Sequence, residues 1–145
     1  MYLASALNEF VLDIAGMNTA AGAHLIAWPR NRPATRNQHW NLPLNHPRSY
    51  ISSLLNGLVL DIAGANPAAG TPIIMWPRNA PATLNQLWTI ERQPDGWCYV
   101  VSAFNGFVLD IARASAAPGA AIIAWPRNRP ATRNQLWRPE VLIDE

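Results

Sequence analysis

The sequence contains no lysine. All eleven basic residues are arginine, against nine acidic ones, for a formal net charge of +2. So small an excess gives no ground for a nucleic-acid partner, and none is expected. Cys98 is the single cysteine. It excludes an internal disulfide framework and Cys-rich zinc sites, and it fits a reducing compartment. No run of 18 apolar residues occurs, so no transmembrane segment is expected. The opening MYLASALNEF lacks a basic stretch followed by an apolar one, and Met1 argues against a leader already removed. The expectation is a soluble protein, cytoplasmic or exported without a signal peptide. Thirteen prolines and eight glycines in 145 residues leave little room for a long helix.

What is present is a threefold repeat. Residues 5–40, 53–88 and 102–137 align without a gap. The first and third agree at 26 of 36 positions, and the first and second at 24 of 36. Each reads S-x-x-N-x-x-V-L-D-I-A, a small-residue loop, then I-x-W-P-R-N-x-P-A-T-x-N-Q-x-W. A period of 48–49 residues is therefore the main organising fact. It divides one domain of 1–145 into repeats of approximately 1–46, 47–94 and 95–145.

The local pattern is all-β. FNGFVLDI and LNGLVLDI place Asn-Gly between apolar runs, which predicts a two-residue hairpin turn. LIAW, PIIMW and AIIAW read as short strands, each ended by a proline that cannot continue a central ladder. QPDGWCYVVSAF reads as a further turn and strand. About four strands per repeat gives about twelve. One such unit leaves open edges and an unburied apolar face, and closing three around an axis removes both problems. A β-trefoil is the expected architecture; a three-bladed propeller is the competitor, but propellers need four or more blades. Trp40, Trp88 and Trp137 end equivalent segments and are expected in the core near that axis. The terminal VLIDE is expected to pair with YLASAL.

Each repeat also carries an Asp, a Trp fifteen residues later, and an Asn-Gln pair starting nine residues after that. The sets are Asp13, Trp28, Asn37, Gln38; Asp61, Trp76, Asn85, Gln86; and Asp110, Trp125, Asn134, Gln135. Three of the five aspartates of the chain occupy this one position, although Asp is poor strand material. With Trp40, Trp88 and Trp137 added, the pattern resembles the ricin-B-type lectins, β-trefoils marked by a threefold Q-x-W repeat. The resemblance covers nearly the whole chain, and its compact form is similar to the small fruiting-body lectins of mushrooms.

That resemblance implies binding of terminal galactose or N-acetylgalactosamine on glycans and glycoproteins, with no cofactor, no metal and no catalysis. The twelve residues above are the sugar-binding candidates. The roles make physical sense. Trp28, Trp76 and Trp125 would cover the apolar face of a sugar at little entropic cost. Asp13, Asp61 and Asp110 would accept protons from adjacent hydroxyls. Asn37, Asn85 and Asn134 would donate, and Gln38, Gln86 and Gln135 would brace the carboxylates from behind. One departure stands out: Ile26, Ile74 and Ile123 fill a place that is often polar in galactose sites of this type.

Seven of the arginines lie in the three loops after the strand-ending tryptophans: Arg30, Arg32, Arg36, Arg78, Arg127, Arg129 and Arg133. They read as solvated rims. The second rim has lost two of them, to Ala80 and Leu84, and Glu9 stands where the other hairpins have Gly57 and Gly106. The alternative function is a hydrolase or protease inhibitor on the same trefoil acting through one loop, yet here the loops are the best preserved parts. His24, His39 and His46 have no counterparts in the other repeats, which argues against an enzyme. A homodimer is compatible with the sequence and not fixed by it.

Overall fold

The structure, a computed structural model, describes residues 1–142. Twelve strands run through it: β1 (Tyr2–Ser5), β2 (Val11–Ile14), β3 (Leu25–Trp28), β4 (Trp40–Asn41), β5 (Ser52–Ser53), β6 (Val59–Ile62), β7 (Ile73–Trp76), β8 (Trp88–Arg92), β9 (Cys98–Ser102), β10 (Val108–Ile111), β11 (Ala120–Trp125) and β12 (Trp137–Glu140). The helical elements are six three-residue 3-10 turns, and no helix among the described residues is long and apolar enough to cross a membrane.

Three hairpins, β2–β3, β6–β7 and β10–β11, share one register: Val11 faces Trp28, Val59 faces Trp76 and Val108 faces Trp125. They close on one another in a ring. Ala121 pairs with Ile26, His24 with Ile74 and Pro72 with Ile123, which are equivalent positions around the threefold. The remaining strands form a second closed layer around the repeat-ending tryptophans. Trp40 exchanges backbone bonds with Met1, Trp88 with Ser49, and Trp137 pairs with Cys98. Each of these tryptophans also faces the first strand of a neighbouring repeat: Trp40 with Ser53, Trp88 with Ser102, Trp137 with Ser5. The hairpin ring and this layer thereby close on themselves, as the β-trefoil architecture requires.

The core follows from strand alternation. Leu12 and Ile14, Leu60 and Ile62, and Leu109 and Ile111 point inward with Trp40, Trp88 and Trp137 in one apolar cluster. The three indoles are at most 1% exposed, and each donates its Nε1–H to the carbonyl of the leucine in its own VLDI strand (Leu12, Leu60, Leu109) at 3.0–3.2 Å. A buried tryptophan satisfied in this way contributes its full area without an orphaned donor. Cys98 is buried in β9, where burial pushes its thiol up from the ordinary value.

Two expectations need correction. The Asn-Gly segments do form hairpins, but not by two-residue turns. Residues 6–9 make a longer loop in which Ser5 O accepts from Glu9 N, while Ser5 Oγ and Asn8 Oδ1 accept from the amides of Leu7 and Phe10. Glycine follows asparagine because that position has a positive φ of 75° at Gly57 and 74° at Gly106; Glu9 adopts it at 65°. The strand beside β1 is Trp137–Glu140 rather than VLIDE. Val141 and Leu142 lie past its end, and residues 143–145 fall outside the described residues.

Candidate functional site

Each VLDI strand carries its aspartate on the face opposite the inward Leu and Ile, because side chains alternate along a strand. That face is roofed by two 3-10 turns, Ala15–Met17 and Arg36–Gln38 in the first repeat. Asp13, Asp61 and Asp110 are consequently 3–4% exposed. Burial is the leading influence on all three carboxyls and raises their pKa; hydrogen bonds from the neighbouring Gln and Asn pull it part-way back. For Asp13 the balance lies at about 6.

The glutamines are wholly buried and fully engaged. Gln38 Nε2 donates to Asp13 Oδ2 at 2.8 Å and to Pro29 O at 2.9 Å, while its Oε1 accepts from Asn31 N at 2.9 Å. Gln86 and Gln135 repeat all three bonds with Asp61, Pro77 and Asn79, and with Asp110, Pro126 and Asn128. They hold the carboxylates from behind and line none of the three cavities that contain those carboxylates. Asn37, Asn85 and Asn134 donate through Nδ2 to the carbonyls of Ile14, Ile62 and Ile111. In Asn37 the buried Oδ1 has no partner among the described residues. That oxygen is a free acceptor beside the amide's own donor, Nδ2. Trp28, Trp76 and Trp125 stand at strand ends before proline and remain 38–41% exposed, far more than the core tryptophans.

These groups meet. Asp13, Ile26, Trp28, Asn31 and Asn37 line a cavity of about 340 Å³. Asp61, Ile74, Trp76, Asn79 and Asn85 line one of about 730 Å³, enlarged by Leu84 and by Phe104 of the third repeat. Asp110, Ile123, Trp125, Asn128 and Asn134 line one of about 630 Å³. Thus Asp, Trp and Asn converge in every repeat, the glutamines stand behind them, and the isoleucines supply an apolar wall. Each cavity has room for a small polar molecule with one flat apolar face. At the third site a neighbouring repeat adds to the wall: Gly70 lines the cavity, and a Cβ there would lie 3.6 Å from the Trp125 ring.

Two features escaped the sequence reading. Asn31, Asn79 and Asn128 line the cavities and also donate to Thr35, Thr83 and Thr132. Their invariance among the repeats was the available signal. The loop arginines are also not uniform solvated rims. Arg30, Arg78 and Arg127 lie over Tyr2, Tyr50 and Tyr99, the only tyrosines of the chain, at 4.4–4.6 Å from the ring centroids. Arg30 is also paired with Glu140, and Arg127 with Glu91 at 2.5 and 2.9 Å. The constant 28-residue Tyr-to-Arg spacing could have revealed these stacks.

A family model for the ricin-type beta-trefoil lectin domain-like family matches residues 1–76, 36–125 and 84–144, which together span nearly the whole chain. The chain belongs to this family. Among solved structures it is similar to ThreeFoil, a designed threefold-symmetric protein, at 25% identity and a TM-score of 0.86, covering 94% of both chains. It is also similar to the C-half of an earthworm R-type lectin solved with GalNAc, at 28% identity and a TM-score of 0.74, covering 94% of this chain and 93% of that one. A ricin B-like lectin of Macrolepiota procera, solved with lactose, shares the fold at 21% identity and a TM-score of 0.75, covering 95% and 94%. A comparison with curated proteins found no match.

Proposed function

We propose that the protein binds terminal galactose or N-acetylgalactosamine on glycans through three similar cavities and acts by multivalent attachment rather than catalysis. The observation that carries this reading is the threefold convergence of a fixed buried carboxylate, a half-exposed indole and an amide in one cavity. A sugar ring has hydroxyls on its edge and C–H bonds on its faces. The indole covers a face, the carboxylate accepts two hydroxyl protons, and Asn37 Oδ1 accepts a third in the first site. Ile26, Ile74 and Ile123 suit an apolar patch on the same sugar. The GalNAc held by the earthworm relative supports the sugar class.

A site with one stacked ring and a few hydrogen bonds is weak, with a Kd of about 0.1–1 mM, or about −4 to −5.5 kcal/mol. Three such sites on one rigid body gain avidity on a glycan-covered surface without any new contact. No metal is needed in this scheme, because one carboxylate per site falls short of the six to eight oxygens that calcium prefers. A glycan array read with and without excess free galactose tests the reading. Retention on galactose- and GalNAc-terminated glycans, competed by free sugar and unchanged by EDTA, is the expected result. Retention that free galactose does not displace, or loss in EDTA restored by calcium, would contradict it.

A further inference from the structure

The three cavities share a frame but not a rim. Gly16, Gly64 and Arg113 occupy one equivalent position, and all three have left-handed backbone, with φ of 64°, 62° and 59°. Glycine takes this conformation freely and arginine does not. Space is not the obstacle, since a Cβ at Gly16 or Gly64 would meet nothing within 4 Å. The third repeat therefore holds an arginine against the local backbone preference. Arg113 lines the third cavity beside Asp110, Trp125 and Asn128. It is exposed, and among the described residues it makes no hydrogen bond, ion pair or ring contact. Arg30, Arg78 and Arg127, in contrast, are committed to tyrosine faces. Asp110, the carboxylate that shares the cavity, accepts from Gln135 through Oδ2 and is not paired with Arg113.

A guanidinium with free donors is suited to a planar or trigonal anion, which it can grip through two parallel hydrogen bonds. We propose that the third site carries an anion subsite in which Arg113 binds a carboxylate or sulfate ester on a glycan whose neutral sugar sits against Trp125 and Asp110. This rests on the sugar-binding reading above. Glycine at the equivalent positions of the other two sites cannot supply it.

The test uses the double variant Trp28→Ala/Trp76→Ala, which removes the exposed rings of the other two sites. It is titrated with lactose, 3′-sialyllactose and 3′-sulfolactose at 50 and 500 mM NaCl, with and without Arg113→Gly. At least one anionic sugar is expected to bind about three- to tenfold more tightly than lactose at low salt. The advantage should shrink at high salt and vanish in Arg113→Gly. A gain confined to the sialylated or to the sulfated sugar identifies which anion the subsite takes. Should the double variant fail to fold, the same ratios are read on the wild-type chain with and without Arg113→Gly, a change that the glycines at positions 16 and 64 show the turn accepts. Anionic sugars that bind no better than lactose, or an advantage that survives Arg113→Gly, would overturn the inference and leave the galactose reading intact. Arg113-dependent binding of anionic sugars alone would support it and overturn the neutral-sugar reading. No binding by the folded protein would remove both.

Discussion

Each repeat carries two tryptophans twelve residues apart, and they meet opposite fates. Trp40, Trp88 and Trp137 are sealed in the core, with every indole N–H satisfied, whereas Trp28, Trp76 and Trp125 keep more than a third of their surface in solvent. Position decides between them. The first kind sits where the strand that ends one repeat is paired both with the segment that begins its own repeat and with the strand that begins a neighbouring one. The second kind ends a hairpin at a proline, beside a carboxylate. The comparison separates two roles within a single motif: one indole ties its repeat to a neighbour inside the core, and the other is the ring that the proposed sugar site needs exposed.

The largest expected effect probes the scaffold. Trp88→Ala removes a fully buried ring and its hydrogen bond and should destabilise the fold by about 3–5 kcal/mol in denaturant melts. Trp76→Ala should cost less than about 1 kcal/mol and abolish sugar binding at the second site. Comparable losses of stability from the two changes would erase the distinction. Gln86→Ala tests the brace between scaffold and site. It leaves Asp61 buried without its main donor and should cost about 1–3 kcal/mol. It should also push the Asp61 carboxyl further up, so that binding at the second site fails at a higher pH than in the native chain.

Acidification should separate site from scaffold. Asp13 has a folded pKa of about 6, raised from 3.8, so the folded state takes up its proton before the unfolded chain does. Its contribution to stability therefore grows as pH falls from about 6 toward 4 and diminishes as pH rises through that window. Sugar binding needs the ionised acceptor and moves the other way. At pH 5 the first site should bind about tenfold more weakly than at pH 7.5, with no loss of stability from this group. Titration and melting at both values check the sign, and binding unchanged at pH 5 would break the assignment of Asp13. The smallest effect belongs to Glu9→Gly, which relieves a left-handed non-glycine residue. It should raise stability by about 0.5–1 kcal/mol and leave sugar titrations untouched.

The scaffold was legible because it is written three times. The repeat, its strands and the buried tryptophans follow from periodicity alone, since a pattern that recurs in register must occupy equivalent places. The convergence of Asp13 with Trp28 and Asn37 was legible through family resemblance more than through spacing. What stayed hidden depends on pairs distant in sequence or on backbone conformation. The stacks of Arg30, Arg78 and Arg127 on tyrosines reach outside the aligned blocks. The enlargement of the second cavity by Phe104 depends on how neighbouring repeats meet. The hairpin loops were misread because Asn8, Asn56 and Asn105 act through their side chains, which cap the amides of Phe10, Leu58 and Phe107 rather than entering a two-residue turn.

The central claim is that three copies of one cavity each hold a sugar. Calorimetric titration of the full chain with lactose, fitted for the number of sites, tests it most directly when repeated on Trp28→Ala, Trp76→Ala and Trp125→Ala. The account predicts close to three sites for the native chain and close to two for each variant, all with native folds. A stoichiometry near one for the native chain, or a variant that loses its exposed ring and keeps all its sites, would contradict it.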